Sequence, residues 1–396
     1  MKFVTAATLR EEEASAIAAR PGLGLEMMQQ AGQGLAERLI TLLQHIESPW
    51  PRVRFLAGPG NNGGDAFIAA ACLDARGIEV DVWLVVPAAT LKGDAAAAYR
   101  SLTEQGFGVR EMAEDQWGQA QASDPPPTIL VDALLGTGAK GEPRGMIRLA
   151  VDYLNNMADS CVVVATDIPT GLDAETGATA ACCVRADFTV TMEFPKVGMA
   201  ASNAQAVLGS LGHVPVGLPH TAAASIPDAA PGVQWISAEE VRRILPRRPR
   251  VSHKGTYGTT LLMGGSAHYS GAIVLAAAGA IRSGAGLVRV ATVESATAAV
   301  RAQVPEAIVS ADLFADGALA DVHAILLGPG LGRALEARRL VERLLHEASC
   351  PLVLDADAIA VLAGTPETIR SASAPIVLTP HPGELALLLG TDVAAI

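Results

Sequence analysis

Residues 52–77 read RVRFLAGPGNNGGDAFIAAACLDARG. RVRFLAG (52–58) has the short apolar form of a strand. DAFIAAACLDARG (65–77) reads as a helix and ends on Gly77, a natural helix stop. Between them GPGNNGGD (58–65) packs four glycines, two asparagines and an aspartate into one turn. Glycine permits tight turns and close approach of a ligand, and Asn and Asp suit a helix start. A strand running through a glycine turn into a helix is the first half of a βαβ unit, so the segment predicts an α/β fold with a mostly parallel sheet.

The same punctuation continues on both sides. Residues 6–19 and 24–47 read as helices, and IEVDVWLVV (78–86) as the next strand. TILVDALLG (128–136), CVVVATDIP (161–169) and RADFTVTM (185–192) are further strands. At 218–234 the text becomes LPHTAAASIPDAAPGVQ, with no period, which predicts a linker between a domain at 1–217 and another at 235–396. A second α/β run follows: TTLLMGGS (259–266), an apolar helix over 271–286, LVRVATV (287–293), HAILLGPGLG (323–332), PLVLDADAI (351–359) and PIVLTPHPGE (375–384).

Composition narrows the function. A formal charge of −12 argues against nucleic-acid binding. The basic run RRILPRRPR (242–250) reads as a solvated helix end and loop. Five cysteines without a CxxC pair argue against a disulfide framework or a zinc site. The opening MKFVTAATLREEEASA lacks an apolar leader core, and no apolar stretch is long enough to span a membrane. The expectation is a cytoplasmic protein acting on a small molecule, with neither nucleic acid nor membrane as partner; a homo-oligomer stays open.

Ligands of open parallel sheets bind beyond the carboxyl ends of the strands. That rule collects 58–65, 132–141 and 167–173 in the first half, and 264–266, 328–332, 355–357 and 379–384 in the second. GPGNNG (58–63) and GTGAKG (136–141) both match G-x-G-x-x-G, a weak pattern in a glycine-rich chain. A standard nicotinamide dehydrogenase also wants an acidic residue at the end of the next strand. Here that strand ends WLVVP, and Asp81 falls too early. Backbone N–H groups at the start of the 65–76 helix remain suited to a pyrophosphate.

Each polar turn has a plain reading beside its functional one. Asp132 is either a polar strand terminus or a ligand anchor. Asp167 either caps its own turn or, ending a buried strand, serves acid–base chemistry. Asn62, Asp132 and Thr170 offer oxygens to a hard cation, with no His or Cys to suit a transition metal. Asp355 and Asp357 either face a phosphate-bound magnesium or cap the next helix. His381, framed by two prolines, reads as a ligand contact.

Several of these motifs occur together and in order. GPGNNGGD, VDALLGTGAKGEPRG (131–145), TDIPTGLDAETG (166–177) and ADFTVTMEFPKVGM (186–199) resemble the N-terminal epimerase domain of the bifunctional NAD(P)H-hydrate repair enzymes. HKGTYGTTLLMGGS (253–266), GAGLVRVAT (284–292), LGPGLG, LDADAI and LTPHPGE resemble their ADP-dependent dehydratase domain. The fold the resemblance implies is a Rossmann-like N-terminal domain followed by an incomplete ribokinase-like α/β domain. The implied substrate is NADH or NADPH that has gained water at the nicotinamide ring. The first domain interconverts its R and S hydrates, and a complete second domain dehydrates the S form with ADP or ATP and Mg2+.

By residue, the resemblance implies substrate contacts at Asn61, Asn62, Gly63, Gly64 and Asp65. It implies the same for Gly136, Thr137, Gly138, Ala139, Lys140, Gly141 and Glu142, for Asp167, and for Ala272, Gly330 and His381. Potassium is implied at Asn62, Asp132 and Thr170, where many relatives carry Ser in place of Thr170. Asp167 is the implied acid–base residue, a protonated carboxyl that helps hydroxide leave the hydrated carbon. The family's nucleotide loop and catalytic Asp follow TPHPGE, whereas this sequence ends TDVAAI at 396, so the expectation is a partial dehydratase domain without lyase activity. The rival readings are a non-catalytic nucleotide-binding module, an NAD-dependent oxidoreductase and, more distantly, a sugar kinase.

Overall fold

In a computed structural model describing residues 1–118, 120, 125–231, 234–312 and 319–396, the chain divides into two units, Met1–Leu245 and Pro246–Ile396. The first is built on β1 (Arg52–Ala57), whose residues beyond Arg52 are all buried. Parallel strands flank it in the order β3-β2-β1-β4-β5-β6-β7: β2 is Glu79–Leu84, β3 Val109–Glu111, β4 Ile129–Ala133, β5 Val162–Thr166, β6 Phe188–Met192 and β7 Ser210–Val214. The strand order reverses between β1 and β4, which opens a crevice at their carboxyl ends.

β1 carries one charged side chain into the interior. Arg54, 2% exposed, pairs with Asp81 on the neighbouring strand at 3.0 Å and donates to the Tyr153 hydroxyl at 2.8 Å. Its guanidinium lies 4.0 Å from the centre of the Trp83 ring. Asp81, too early to hold a ribose, thus neutralises a buried arginine.

Four helices frame the crevice: α1 (Ala6–Ala19), α2 (Leu23–Leu43), α3 (Asn61–Asp74) and α4 (Gly93–Glu104). α3 starts at Asn61 rather than 65, so the glycine-rich turn forms the first turn of the helix. Packing explains the glycines. A Cβ on Gly58 would lie 1.8 Å from the Leu134 carbonyl oxygen, and one on Gly63 would lie 2.1 Å from the Gly58 carbonyl oxygen.

The first four residues form an arm beside the end of the sheet. Val4 donates to Pro195 O at 3.0 Å and accepts from Val197 N at 2.8 Å. Thr5 then caps α1 by accepting from Thr8 N at 3.0 Å. The described residues of the 218–234 stretch, expected as a linker, lie within the first unit. His220–Ser225 is helical, Ile226 is 2% exposed, and Ala229 N donates to Phe3 O at 2.8 Å. Alanine and proline there gave no period because the segment packs through isolated side chains.

The second unit holds six parallel strands in the order β10-β9-β8-β11-β12-β13. They are β8 (Thr259–Met263), β9 (Leu287–Ala291), β10 (Ile308–Ser310), β11 (Ala324–Leu327), β12 (Leu352–Leu354) and β13 (Ile376–Leu378). Its order also reverses once, between β8 and β11.

Gly58→Ala should lower stability by about 2 kcal/mol or more, since the backbone of the 134 turn cannot recede without moving β4. Gly108→Ala, where a Cβ meets nothing within 4 Å, is the control and should melt close to the parent in a thermal scan.

Candidate active site

The crevice of the first unit holds a cavity of about 390 Å³. Asn61, Asn62 and Asp65 from the start of α3, the loop Gly136–Ala139 after β4, and Asp167 after β5 all line it. α1 closes one side with Leu9, Arg10, Glu13 and Ile17, α2 adds Met27 and Met28, and Lys196 comes from beyond β6. Lys140, Gly141, Glu142 and Thr170 line an adjoining cavity of about 280 Å³ that shares Gly136 and Ala139 with the first.

Asp167 occupies a left-handed backbone position, φ 65°, directly after β5. Asp is among the residues that tolerate this region, and such strain concentrates at functional sites. Its Oδ1 forms a buried ion pair with Lys196 Nζ and also accepts from Met192 N at 3.1 Å and the Thr191 hydroxyl at 3.4 Å. Lys196 is 1% exposed and donates as well to Met192 O and the Thr191 hydroxyl, each at 3.0 Å. Asp167 Oδ2 has no partner among the described residues. Asp167 Oδ1 is thus held by the Lys196 ammonium, a partner that the sequence reading of a protonated carboxyl there did not include.

Two further carboxyls face this pair. Asp65 is 6% exposed and makes no side-chain hydrogen bond among the described residues. Burial first, then the charges of Asp167 and Glu13, push its carboxyl well above the usual range. Glu13 is half-buried, and desolvation lifts it to about 7 against the opposing pull of Lys196.

Beneath the cavity Asp132 is fully buried and braces the turn after β5. It accepts from Thr170 N at 2.7 Å, the Thr170 hydroxyl at 2.8 Å and Leu134 N at 3.1 Å. Burial raises its carboxyl to about 6, with these hydrogen bonds working the other way. The Asn62 amide donates to Thr166 O at 2.8 Å and Leu135 O at 3.0 Å, tying α3 to both loops. The structure thus gathers Asn62, Asp132 and Thr170 at one locus. The Thr166 hydroxyl beside them is buried without a partner among the described residues.

Not every expected contact faces the cavity. Gly63 packs on the Gly58 carbonyl, and a Cβ on Gly64 would lie 2.5 Å from Met28 Sδ. Glu142 holds its own loop in place, accepting from Ala181 N at 2.7 Å and Cys182 N at 3.3 Å, contacts that lower its pKa.

In the second unit Ala272 and Gly330 adjoin, a Cβ on Gly330 falling 3.0 Å from that of Ala272. His381 caps the helix Pro382–Leu389: Nδ1 accepts from Gly383 N at 3.1 Å and Glu384 N at 3.3 Å, and Nε2 lies 3.2 Å from Glu384 Oε1. Both ring nitrogens are therefore engaged within the helix's own first turn. Asp357 accepts from Gly332 N at 2.9 Å and Arg333 Nε at 3.1 Å, while Asp355 accepts from the Thr379 hydroxyl at 2.7 Å.

Two family models match the chain. One, described as YjeF-related protein N-terminus, matches residues 24–198; the other, described as NAD(P)H-hydrate dehydratase, matches residues 260–395. The bifunctional NAD(P)H-hydrate repair enzyme of Moorella thermoacetica is 33% identical over 413 aligned positions, covering 100% of this chain and 76% of that protein. The chain belongs to the bifunctional NAD(P)H-hydrate repair enzyme family. The Escherichia coli relative of that name is 35% identical, over 94% of this chain and 68% of its own. Among solved structures, an ADP/ATP-dependent NAD(P)H-hydrate dehydratase from Bacillus subtilis, co-crystallised with ATP and Mg2+, is 37% identical with a TM-score of 0.36, over 42% of this chain and 59% of its own.

Sequence reasoning missed Lys196 and Glu13 in this repair-family site. Lys196 stood inside the quoted EFPKVG, a single cation just beyond an apolar strand. Glu13 was hidden in the run REEEASA, yet Leu9, Glu13 and Ile17 recur every four residues and share one helix face.

Lys196→Met removes the cation and strands a buried carboxylate, a loss of about 3 kcal/mol that chemical denaturation reads. Adding Asp167→Asn in the same chain should recover part of it; strictly additive losses would mean the two groups do not act as a pair.

Proposed function

We propose that the first unit epimerises the R and S hydrates of NADH and NADPH, and that the second dehydrates the S hydrate with ADP or ATP. The observation that carries the epimerase reading is the convergence of Asn61–Asn62, Gly136–Ala139 and Asp167 on one cavity at the switch point of a parallel sheet. The free N–H groups at the start of α3 suit the pyrophosphate. The apolar wall from Leu9, Met27 and Met28 suits the nicotinamide end.

The hydrated carbon lies beside a ring nitrogen. When its hydroxyl leaves, the nitrogen lone pair forms a C=N bond and the ring becomes cationic. The Asp167 carboxylate, whose Oδ2 has no partner among the described residues, stabilises that charge, and Lys196 fixes its direction. Water then returns to either face of the ring.

Potassium fits the locus of Asn62, Asp132 and Thr170. The donors are all oxygen, and Asp132 is a buried carboxylate with no cationic partner among the described residues. The ion would supply that positive charge and hold the turn after β5 against α3. In the second unit a nucleotide-borne magnesium would need few protein ligands. Asp357 is occupied by Gly332 and Arg333, which leaves Asp355 with an oxygen to offer. No helix among the described residues is long and apolar enough to cross a membrane, and all five cysteines are free thiols. Both agree with a cytoplasmic site of action.

The purified chain should interconvert R and S NADPH hydrates, followed by chromatography. Asp167→Asn, which strands the buried Lys196 ammonium and lowers stability, should lose at least about a hundredfold in rate per folded molecule, the folded fraction being read by circular dichroism. Loss of the S hydrate only when ADP or ATP is added would support the dehydratase reading; no loss would overturn it for this chain. Potassium should raise the melting temperature above that in tetramethylammonium at equal ionic strength. Asp132→Asn should abolish that difference, and a difference that survives would place the ion elsewhere.

A further inference from the structure

The cavity contains more carboxyls than one ion pair explains. Glu13, Asp65 and Asp167 face it together with one buried ammonium, Lys196. Like charges gathered in a poorly solvated space cannot all ionise, so the group retains a proton. Asp167 is the carboxyl salt-bridged to Lys196. The proton therefore rests with Glu13 or Asp65.

Position separates these two. Asp65 is enclosed, 6% exposed, and among the described residues its side chain makes no hydrogen bond through which a proton could be relayed to solvent. Glu13 is half-buried on α1, lines the same cavity and is partly open to water. α1 is also held where a catalytic group would be needed. The backbone pairing of Val4 with residues 195 and 197 sets the start of the helix directly beside Lys196. α1 lies before residue 24, outside the stretch matched by the family model, so the family match itself assigns Glu13 no role.

We propose that Glu13 is the acid that protonates the hydrate's hydroxyl as it departs, and the base that recovers the proton when water returns. The inference rests on the epimerase reading. In the forward step the C–O bond breaks with its electron pair going to oxygen. The Glu13 proton completes a water molecule, and the ring nitrogen lone pair forms the C=N bond. In the return step a water oxygen bonds to the carbon from the opposite face, the C=N pair goes back to nitrogen, and the surplus proton goes to the Glu13 carboxylate. Nothing is oxidised or reduced, and the enzyme ends as it began.

Burial lifts the Glu13 carboxyl to about 7, where a general acid works near neutrality. The charged groups around it are Arg10 on α1, Asp65 on α3, Asp94 on α4, Asp167 after β5, and Glu193 and Lys196 after β6. Lys196 and Arg10 favour its ionised form, and the acidic neighbours oppose it.

The test is initial-rate epimerisation of R NADPH hydrate between about pH 6 and 9. The parent rate should fall as pH rises through about 7, because the acid form is lost there. Glu13→Gln should cut kcat by about a hundredfold, leave KM within about threefold, and flatten that fall. Glu13→Asp, which keeps an acid but withdraws it by one carbon, should be slow yet retain the pH dependence. A Glu13→Gln protein with parental kcat, a loss carried only by KM, or an unchanged pH profile would each overturn the assignment. A folded parent that epimerises neither hydrate would sink the epimerase reading itself.

Discussion

A single buried contact, Asp167 against Lys196, organises the first unit. Neither charge survives alone in so dry a place, so each fixes the other and the chain around it. Asp167 must turn left-handed straight out of β5, and Lys196 must be carried back from the end of β6 to meet it. The segment that carries it also receives the amino-terminal arm, and the arm sets α1 over the cavity. The apolar wall of the cavity, the placement of Asp167 and the position of the proposed proton carrier all descend from this pairing.

Around it, tasks are divided among loops that look alike in sequence. The glycines after β1 let α3 come within contact of the 134 turn, so Asn62 reaches two carbonyls at once. Asp132, fully buried, braces the turn after β5. Glu142 fastens its own loop to a neighbouring one. A polar residue at the sheet's crest is therefore as often a brace as a contact, and hydrogen-bond partners decide which.

Of the strands read from sequence, all but β13 lie between two neighbouring strands. β1, β4, β5 and β6 in the first unit are almost wholly buried, β2, β8, β9, β11 and β12 are buried in part, and β13, an edge strand with no buried residue, was readable from its apolar IVL alone. The strands that escaped notice, β3, β7 and β10, are all sheet edges. An edge strand is half solvated, so VRE (109–111), SLGHV (210–214) and IVS (308–310) carry no continuous apolar signal. The site was legible where glycines and carboxylates follow strand ends. Lys196 and Glu13 were not, because their meaning depends on a contact between residues far apart in the chain. His381 adds a role the sequence did not show: within its local frame of prolines the ring caps a helix.

The amino-terminal arm also bears on how the site comes into being. Residues 3 and 4 leave the ribosome well before their backbone partners at 195, 197 and 229. Until that stretch emerges, the arm has nothing to pair with and α1 has no fixed address. Sheet and crevice can assemble earlier, from contacts much closer in sequence, whereas closing a loop of this length carries its full entropic cost before any contact compensates. The cavity therefore gains its last wall late in synthesis of the unit, and until then Asp167 stands open to water on the side that α1 will cover.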